Sequence, residues 1–172
     1  MKKVRTPSQI QASSAARKRA LFVAAVSLVV GIVVLALSSY FLQLHCVMAM
    51  AVALAGGLAA ARVAIPIDRE SFRSAGSTGG IYAALAYALP FIAFNFYNWL
   101  TLTPDKAGQR MAQLSPDQIA FAQQNNMQFG VEFFKAQDVA YLFGYLLFAL
   151  ILGSIIGMIG GALAKRQYES AP

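Results

Sequence analysis

The chain has 172 residues, 58% of them hydrophobic and 12% charged, with a formal net charge of +7. Soluble domains carry about 25% charged residues, so this composition excludes an ordinary water-soluble globule. The cations flank apolar runs instead of forming a basic stripe interleaved with aromatics, which excludes nucleic acid as a partner.

Four runs free of Asp, Glu, Lys and Arg cover about 20–42, 46–61, 80–102 and 139–163. A helix needs about 20 apolar residues to cross a hydrocarbon core of ~30 Å. The pattern predicts an all-α polytopic membrane protein with four transmembrane helices. They form a transmembrane domain over 20–165, between a basic tail over 1–19 and a short tail over 166–172, with a helical extramembrane loop over 103–138 between the third and fourth spans. The single cysteine, Cys46, excludes an internal disulfide.

Residues 1–19 are rich in Ser, Ala, Gln, Lys and Arg and read as a disordered or membrane-surface tail. The tail is an orientation signal, or it touches anionic headgroups at ~1 kcal/mol per cation. The basic start before Leu21 resembles a secretory signal. Its apolar core of about 22 residues exceeds the usual h-region of about 7–15, and Ala36-x-Ser38 is a poor cleavage site, so the first span is read as retained.

Span one contains Ser27 and Gly31 and ends on Tyr40 and Phe41 as interface anchors. The turn Gln43-Leu44-His45 is short enough to make a tight hairpin with span two. There Ala49, Ala53, Gly57 and Ala61 recur every fourth position, a stripe that lets backbones approach closely in lipid. After span two, Ile65-Pro66-Ile67-Asp68-Arg69-Glu70 reads as a polar link and Gly76-Ser77-Thr78-Gly79-Gly80 as a flexible loop. No strand precedes that loop and no Gly-Lys-Ser/Thr ends it, which excludes a phosphate-binding loop.

Span three contains Pro90, which predicts a bend. Asn95 and Asn98 are three apart and share a face. They either hydrogen-bond to neighbouring helices or line a polar site. The segment 103–138 is too long to be structureless. Thr103-Pro104-Asp105 and Ser115-Pro116-Asp117-Gln118 are helix-start signals, the second with a capping box, and predict helices over 104–113 and 116–128. Val131, Phe133 and Phe134 are expected to dip into the membrane interface. In span four Ala149, Gly153, Gly157 and Gly161 recur at every fourth position, a glycine-zipper pattern that packs against span two or against another protein.

Eleven of the fourteen Lys and Arg residues lie in the two tails and the 62–79 connection. Only Lys106, Arg110 and Lys135 lie in the long loop. The positive-inside rule then predicts cytoplasmic termini and an external loop in a bacterial cytoplasmic (inner) membrane.

No ionisable residue falls inside a span, which weighs against a proton-coupled transporter or an intramembrane protease. No nucleophile or acid–base pair stands out, so the chain is read as not an enzyme, and no metal-ligand spacing is present. His45, the only histidine, is an interfacial residue or a ligand to a pigment or haem. The ends of spans three and four are aromatic and form either an interface belt or a groove. That groove, with Asn95, Asn98, Tyr97, Trp99, Tyr141 and Tyr145, would take a lipid tail, a quinone or a chlorophyll-type pigment.

The Gly-Gly-Leu-Ala-Ala-Ala-Arg ending of span two (56–62), the Leu-Ser-Pro-Asp-Gln segment (114–118) and the Gly-Ser-Ile-Ile-Gly-Met-Ile-Gly-Gly close of span four (153–161) resemble uncharacterised small four-span bacterial inner-membrane proteins. The likeness covers most of the chain and implies a four-span fold, with no assigned site or activity. The function expected from all of this is a non-enzymatic accessory, structural or assembly subunit of a larger membrane complex, in contact with membrane lipids and other integral subunits. The alternative is a component of a transporter or channel for a small neutral or lipid-like solute.

Overall fold

A computed structural model of the chain describes residues 6–37, 44–125 and 127–170. The expectations for Tyr40, Phe41 and Gln43 lie outside the described residues. The elements are α1 (Pro7–Leu37), α2 (Leu44–Ala64), a 3-10 turn at Arg69–Ser71, α3 (Phe72–Thr101), α4 (Pro104–Ala112), α5 (Pro116–Gln124) and α6 (Val131–Glu169). Among the described residues there is no strand. α1, α2, α3 and α6 are long and apolar enough to cross a membrane. The protein is an all-α polytopic membrane protein, with α4 and α5 forming the helical segment between its third and fourth spans.

The helices start earlier than the apolar runs. α1 begins at Pro7, inside the stretch read as a tail. Thr6 and Gln9 explain the start: the Gln9 N–H donates to Thr6 Oγ1 at 3.4 Å, and the Thr6 N–H donates to Gln9 Oε1 at 3.1 Å. This is the same reciprocal capping as at Ser115 and Gln118. Ala12, Ala16 and Ala20 then form a buried stripe on α1. α6 begins at Val131 and runs for 39 residues, about 58 Å at 1.5 Å per residue, well beyond the ~30 Å hydrocarbon core.

Close contacts divide the chain into two compact units, one up to Phe91 together with everything from Tyr145 onward, and one over Ile92–Gly144. The first unit has a core of small residues. Ala12, Ala16 and Ala20 of α1 meet Ala60, Ala61, Ala64 and Ile65, with Ala75 of α3 and Ala164 of α6. Among the described residues, Ile65 is the largest apolar side chain with essentially no exposure, while Phe22, Val29 and Ile151 are exposed. Water would drive the large apolar groups inward. Lipid does not, so close backbone packing selects small residues for the interior.

The segment Gly76-Ser77-Thr78-Gly79-Gly80, expected as a loop, is helical and lies within α3. Each glycine inside a helix costs roughly 1 kcal/mol relative to alanine. The cost is offset by contact: a Cβ on Gly79 would lie 2.6 Å from the Ala60 Cβ, and one on Gly80 would lie 2.5 Å from the Gly157 Cα. Helical glycines bring α3 against both α2 and α6. α3 also continues through Pro90. A Cβ on Gly31 would meet the Tyr87 carbonyl oxygen and lie 3.3 Å from the Pro90 ring, so α1 packs closely on the turn that the proline interrupts.

The second unit has its own core of Leu102, Ala107 and Phe134, ringed by Leu114, Phe129, Val131 and Phe133. Phe134, expected at the membrane interface, is buried here. Thr103 and Ser115 cap α4 and α5 as the sequence indicates. α5 stops at Gln124 instead of 128, because Asn125 turns back: its side-chain amide donates to the Phe121 carbonyl at 2.7 Å. Arg110 of α4 donates to both carboxylate oxygens of Asp138 at 3.0 Å. This ties α4 to the second turn of α6.

Candidate functional site

The candidate site is an aromatic cluster around His45 in the first unit. His45 occupies the first turn of α2, Tyr87 and Phe91 lie one turn apart on α3, and Tyr145 belongs to α6. The His45 ring meets Phe91 edge-on, with centroids 4.6 Å apart. Phe91 stacks on Tyr145 at 5.6 Å and lies 5.5 Å from Tyr87. Such aromatic pairs add about 0.5–1.5 kcal/mol each beyond area burial. Val34, Ala49, Phe148 and Met48 close the cluster from neighbouring turns.

The Tyr87 hydroxyl lies 3.4 Å from both Nδ1 and the backbone carbonyl oxygen of His45. Both contacts are satisfied together when the hydroxyl donates to the carbonyl and accepts from Nδ1–H. The partner of one imidazole nitrogen sets the role of the other. That arrangement leaves the Nε2 lone pair as the atom able to accept a hydrogen bond or bind an iron or magnesium centre. Chemically, the cluster combines a flat apolar surface with one nitrogen donor and two phenols.

The structure thus joins two candidates that the sequence kept apart, His45 and Tyr145, through Tyr87 and Phe91. The rest of the expected groove lies in the second unit. There Asn95, Asn98 and Trp99 are half-buried, while Tyr97 and Tyr141 are exposed. Trp99 stacks on Phe96 at 5.9 Å, and Tyr141 accepts from the Gln137 amide at 3.2 Å.

All eight expected packing positions, Ala49, Ala53, Gly57, Ala61, Ala149, Gly153, Gly157 and Gly161, are buried. A Cβ on Gly57 would lie 2.6 Å from the Gly157 Cα, and one on Gly161 would lie 3.2 Å from the Gly76 Cα. The stripe of α6 therefore packs on α3 as well as α2.

Three polar features escape the sequence. Ser77 and Ser154 share a hydrogen bond of 2.8 Å between α3 and α6. Arg110 and Asp138 pair across 28 positions of sequence. A cleft of about 640 Å³ lies between the start of α1 and the start of α3, with Gln9, Ser13, Asp68, Ser71 and Thr78 among its lining. Several of its polar groups are already engaged: Ser71 donates to Asp68 at 2.6 Å, and Thr78 donates to the Ser74 carbonyl at 2.9 Å. Among the described residues, no group of three or more His, Cys, Asp and Glu side chains stands close enough to hold a metal ion.

No protein-family model, curated protein or solved structure matches this chain.

Proposed function

We propose that the chain is a non-enzymatic accessory or assembly subunit of a larger membrane complex, set in a bacterial cytoplasmic membrane with both termini cytoplasmic. The orientation rests on the eleven cations of the tails and the 62–79 connection against three in the long loop. The small-residue faces of α2, α3 and α6 are occupied by one another, so in this reading they brace the bundle and the partner docks elsewhere.

The observation that carries the reading is the surface of the second unit. α4 and α5 are polar helices fixed by caps and by the Arg110–Asp138 pair, yet Phe121, Met111 and Met127 stand exposed on this segment. Aromatic and Met side chains on a polar, ordered surface suit a protein interface. The partner is another integral subunit with a folded extramembrane part.

Affinity purification from the native membrane in mild detergent tests this. The expected result is a stoichiometric complex, with Phe121→Gln/Met111→Gln recovered as an inserted single chain. A wild-type protein that runs alone would overturn the reading.

A second reading is favoured by the His45 cluster: binding of a neutral or lipid-like solute, a quinone or a pigment against Phe91 and Tyr145, with His45 as the polar handle. The purified protein would then carry a bound small molecule, seen as a visible absorption band or an extractable quinone, that His45→Leu loses. A colourless, ligand-free wild-type protein would remove this reading.

A further inference from the structure

A cleft of about 230 Å³ opens between the C-terminal ends of α2 and α6, lined by Arg62, Ile65, Ala164, Gln167 and Tyr168. Its floor is apolar, since Ile65 and Ala164 belong to the alanine core. Its rim carries Arg62, and Arg69 stands beside it against the lining Tyr168. Arg62 donates to Gln167 Oε1 at 2.7 Å, and the Arg69 guanidinium stands 5.5 Å from the centre of the Tyr168 ring. Both arginines are exposed, and the partners holding them are neutral. The ion pair nearest in sequence is Lys165 with Glu169, at 3.9 Å. Five cations (Arg62, Arg69, Arg73, Lys165 and Arg166) stand at this end of α2, α3 and α6 against Asp68, Glu70 and Glu169.

An arginine where a membrane-spanning apolar helix ends sits at headgroup level. Guanidinium forks match phosphate oxygens better than ammonium groups do. Basic pockets between transmembrane helices suit anionic headgroups. We propose that this cleft binds the headgroup phosphate of an anionic phospholipid. Arg62 and Arg69 hold the phosphate oxygens from either side of the Gln167–Tyr168 pair, and the glycerol end lies over Ile65 and Ala164. The positive charge that the protein leaves uncompensated at this rim is balanced by the lipid. The proposal is independent of any partner subunit.

The full-length protein, stripped of lipid in detergent, is titrated with phosphatidylglycerol and with phosphatidylcholine, and bound lipid is read by native mass spectrometry. Phosphatidylglycerol is expected to bind about 30-fold more tightly, the preference that two arginines at the membrane surface would supply together. Arg62→Gln/Arg69→Gln should reduce that preference to none, while Arg17→Gln/Lys18→Gln/Arg19→Gln keeps it. An unchanged preference in the first variant overturns the site. Equal loss in both variants replaces it with diffuse surface charge. Full displacement of the lipid by excess inorganic phosphate reassigns it to a soluble anion. If the double variant does not fold, a photocrosslinker at position 168 in the otherwise native chain decides: adducts with phosphatidylglycerol support the site, and equal adducts with both lipids refute it.

Discussion

Gly57 and Gly157 meet backbone to backbone: a Cβ built on Gly57 would lie 2.6 Å from the Gly157 Cα and 2.8 Å from its carbonyl carbon. No side chain stands between the two helices that could move aside. Any substituent must push α2 and α6 apart and loosen the contacts of Gly160 with Leu54 and Leu58 above them. Gly57→Ala is therefore expected to destabilise the bundle by about 1–3 kcal/mol, the usual cost of overpacking. Gly57→Leu should prevent folding. Thermal unfolding in detergent, followed by the loss of helical circular dichroism, measures the difference.

Gly144 and Gly108 supply the contrast, because a Cβ on either meets nothing within 4 Å. Both sit inside helices, α6 and α4. Removing the entropy cost of glycine there should stabilise by up to about 1 kcal/mol. Gly108→Ala is expected to slow amide exchange in α4. A loss of stability at Gly108 would mean that a partner backbone approaches that face.

Much of this fold was legible because lipid restricts it. Four charge-free runs predict four spans, and the Ser115–Gln118 capping box is realised bond for bond. Glycine's local preference for loops is overridden in α3. Gly76, Gly79 and Gly80 are helical because they face Gly56, Gly153 and Gly157, a tertiary contact no local pattern reveals. The N-terminal helix is a different case. Thr6-Pro7-Ser8-Gln9 carries the same start signal as the loop helices, but its polar, basic surroundings masked it. The joining of His45 to Tyr145, and of Arg110 to Asp138, depends on which helices become neighbours, and one sequence does not encode that locally.

The Thr6 cap of α1 makes a direct test. Thr6→Ala removes the oxygen that accepts the Gln9 N–H. Loss of such a cap costs about 0.5–2 kcal/mol. Since Ala12 and Ala16 remain packed, the loss should stay local. Faster amide exchange is expected at Ser8, Gln9 and Ile10, with no change beyond Ala20. Melting of the whole of α1 would show that the cap, and not the alanine stripe, holds this helix.

Ser77 and Ser154 form a hydroxyl pair between helices already locked by glycine. In membranes such bonds average about 0.6 kcal/mol. Ser77→Ala, Ser154→Ala and the double variant should close a cycle with a coupling energy of that order, read from unfolding in detergent. A coupling near zero would mean that each hydroxyl re-bonds to its own helix, as Ser27 does to the Val23 carbonyl at 2.9 Å.

Arg110 and Asp138 are unequal partners, with side chains 26% and 4% exposed. The arginine also stands 5.8 Å from the centre of the buried Phe134 ring, so it closes the core of the second unit as well as neutralising a carboxylate. Removing the arginine strands a buried charge, which costs about 3–5 kcal/mol when uncompensated. Removing the carboxylate leaves an arginine that can still reach water and should cost less. Arg110→Leu is thus expected to open α4 and α5 to proteolysis, Asp138→Asn to do so weakly, and Arg110→Leu/Asp138→Leu to recover much of the lost protection. Limited proteolysis in detergent, with cleavage sites mapped by mass spectrometry, reads all three. Equal sensitivity of the two single variants would mean that packing on Phe134, and not the buried charge, sets the stability of this unit.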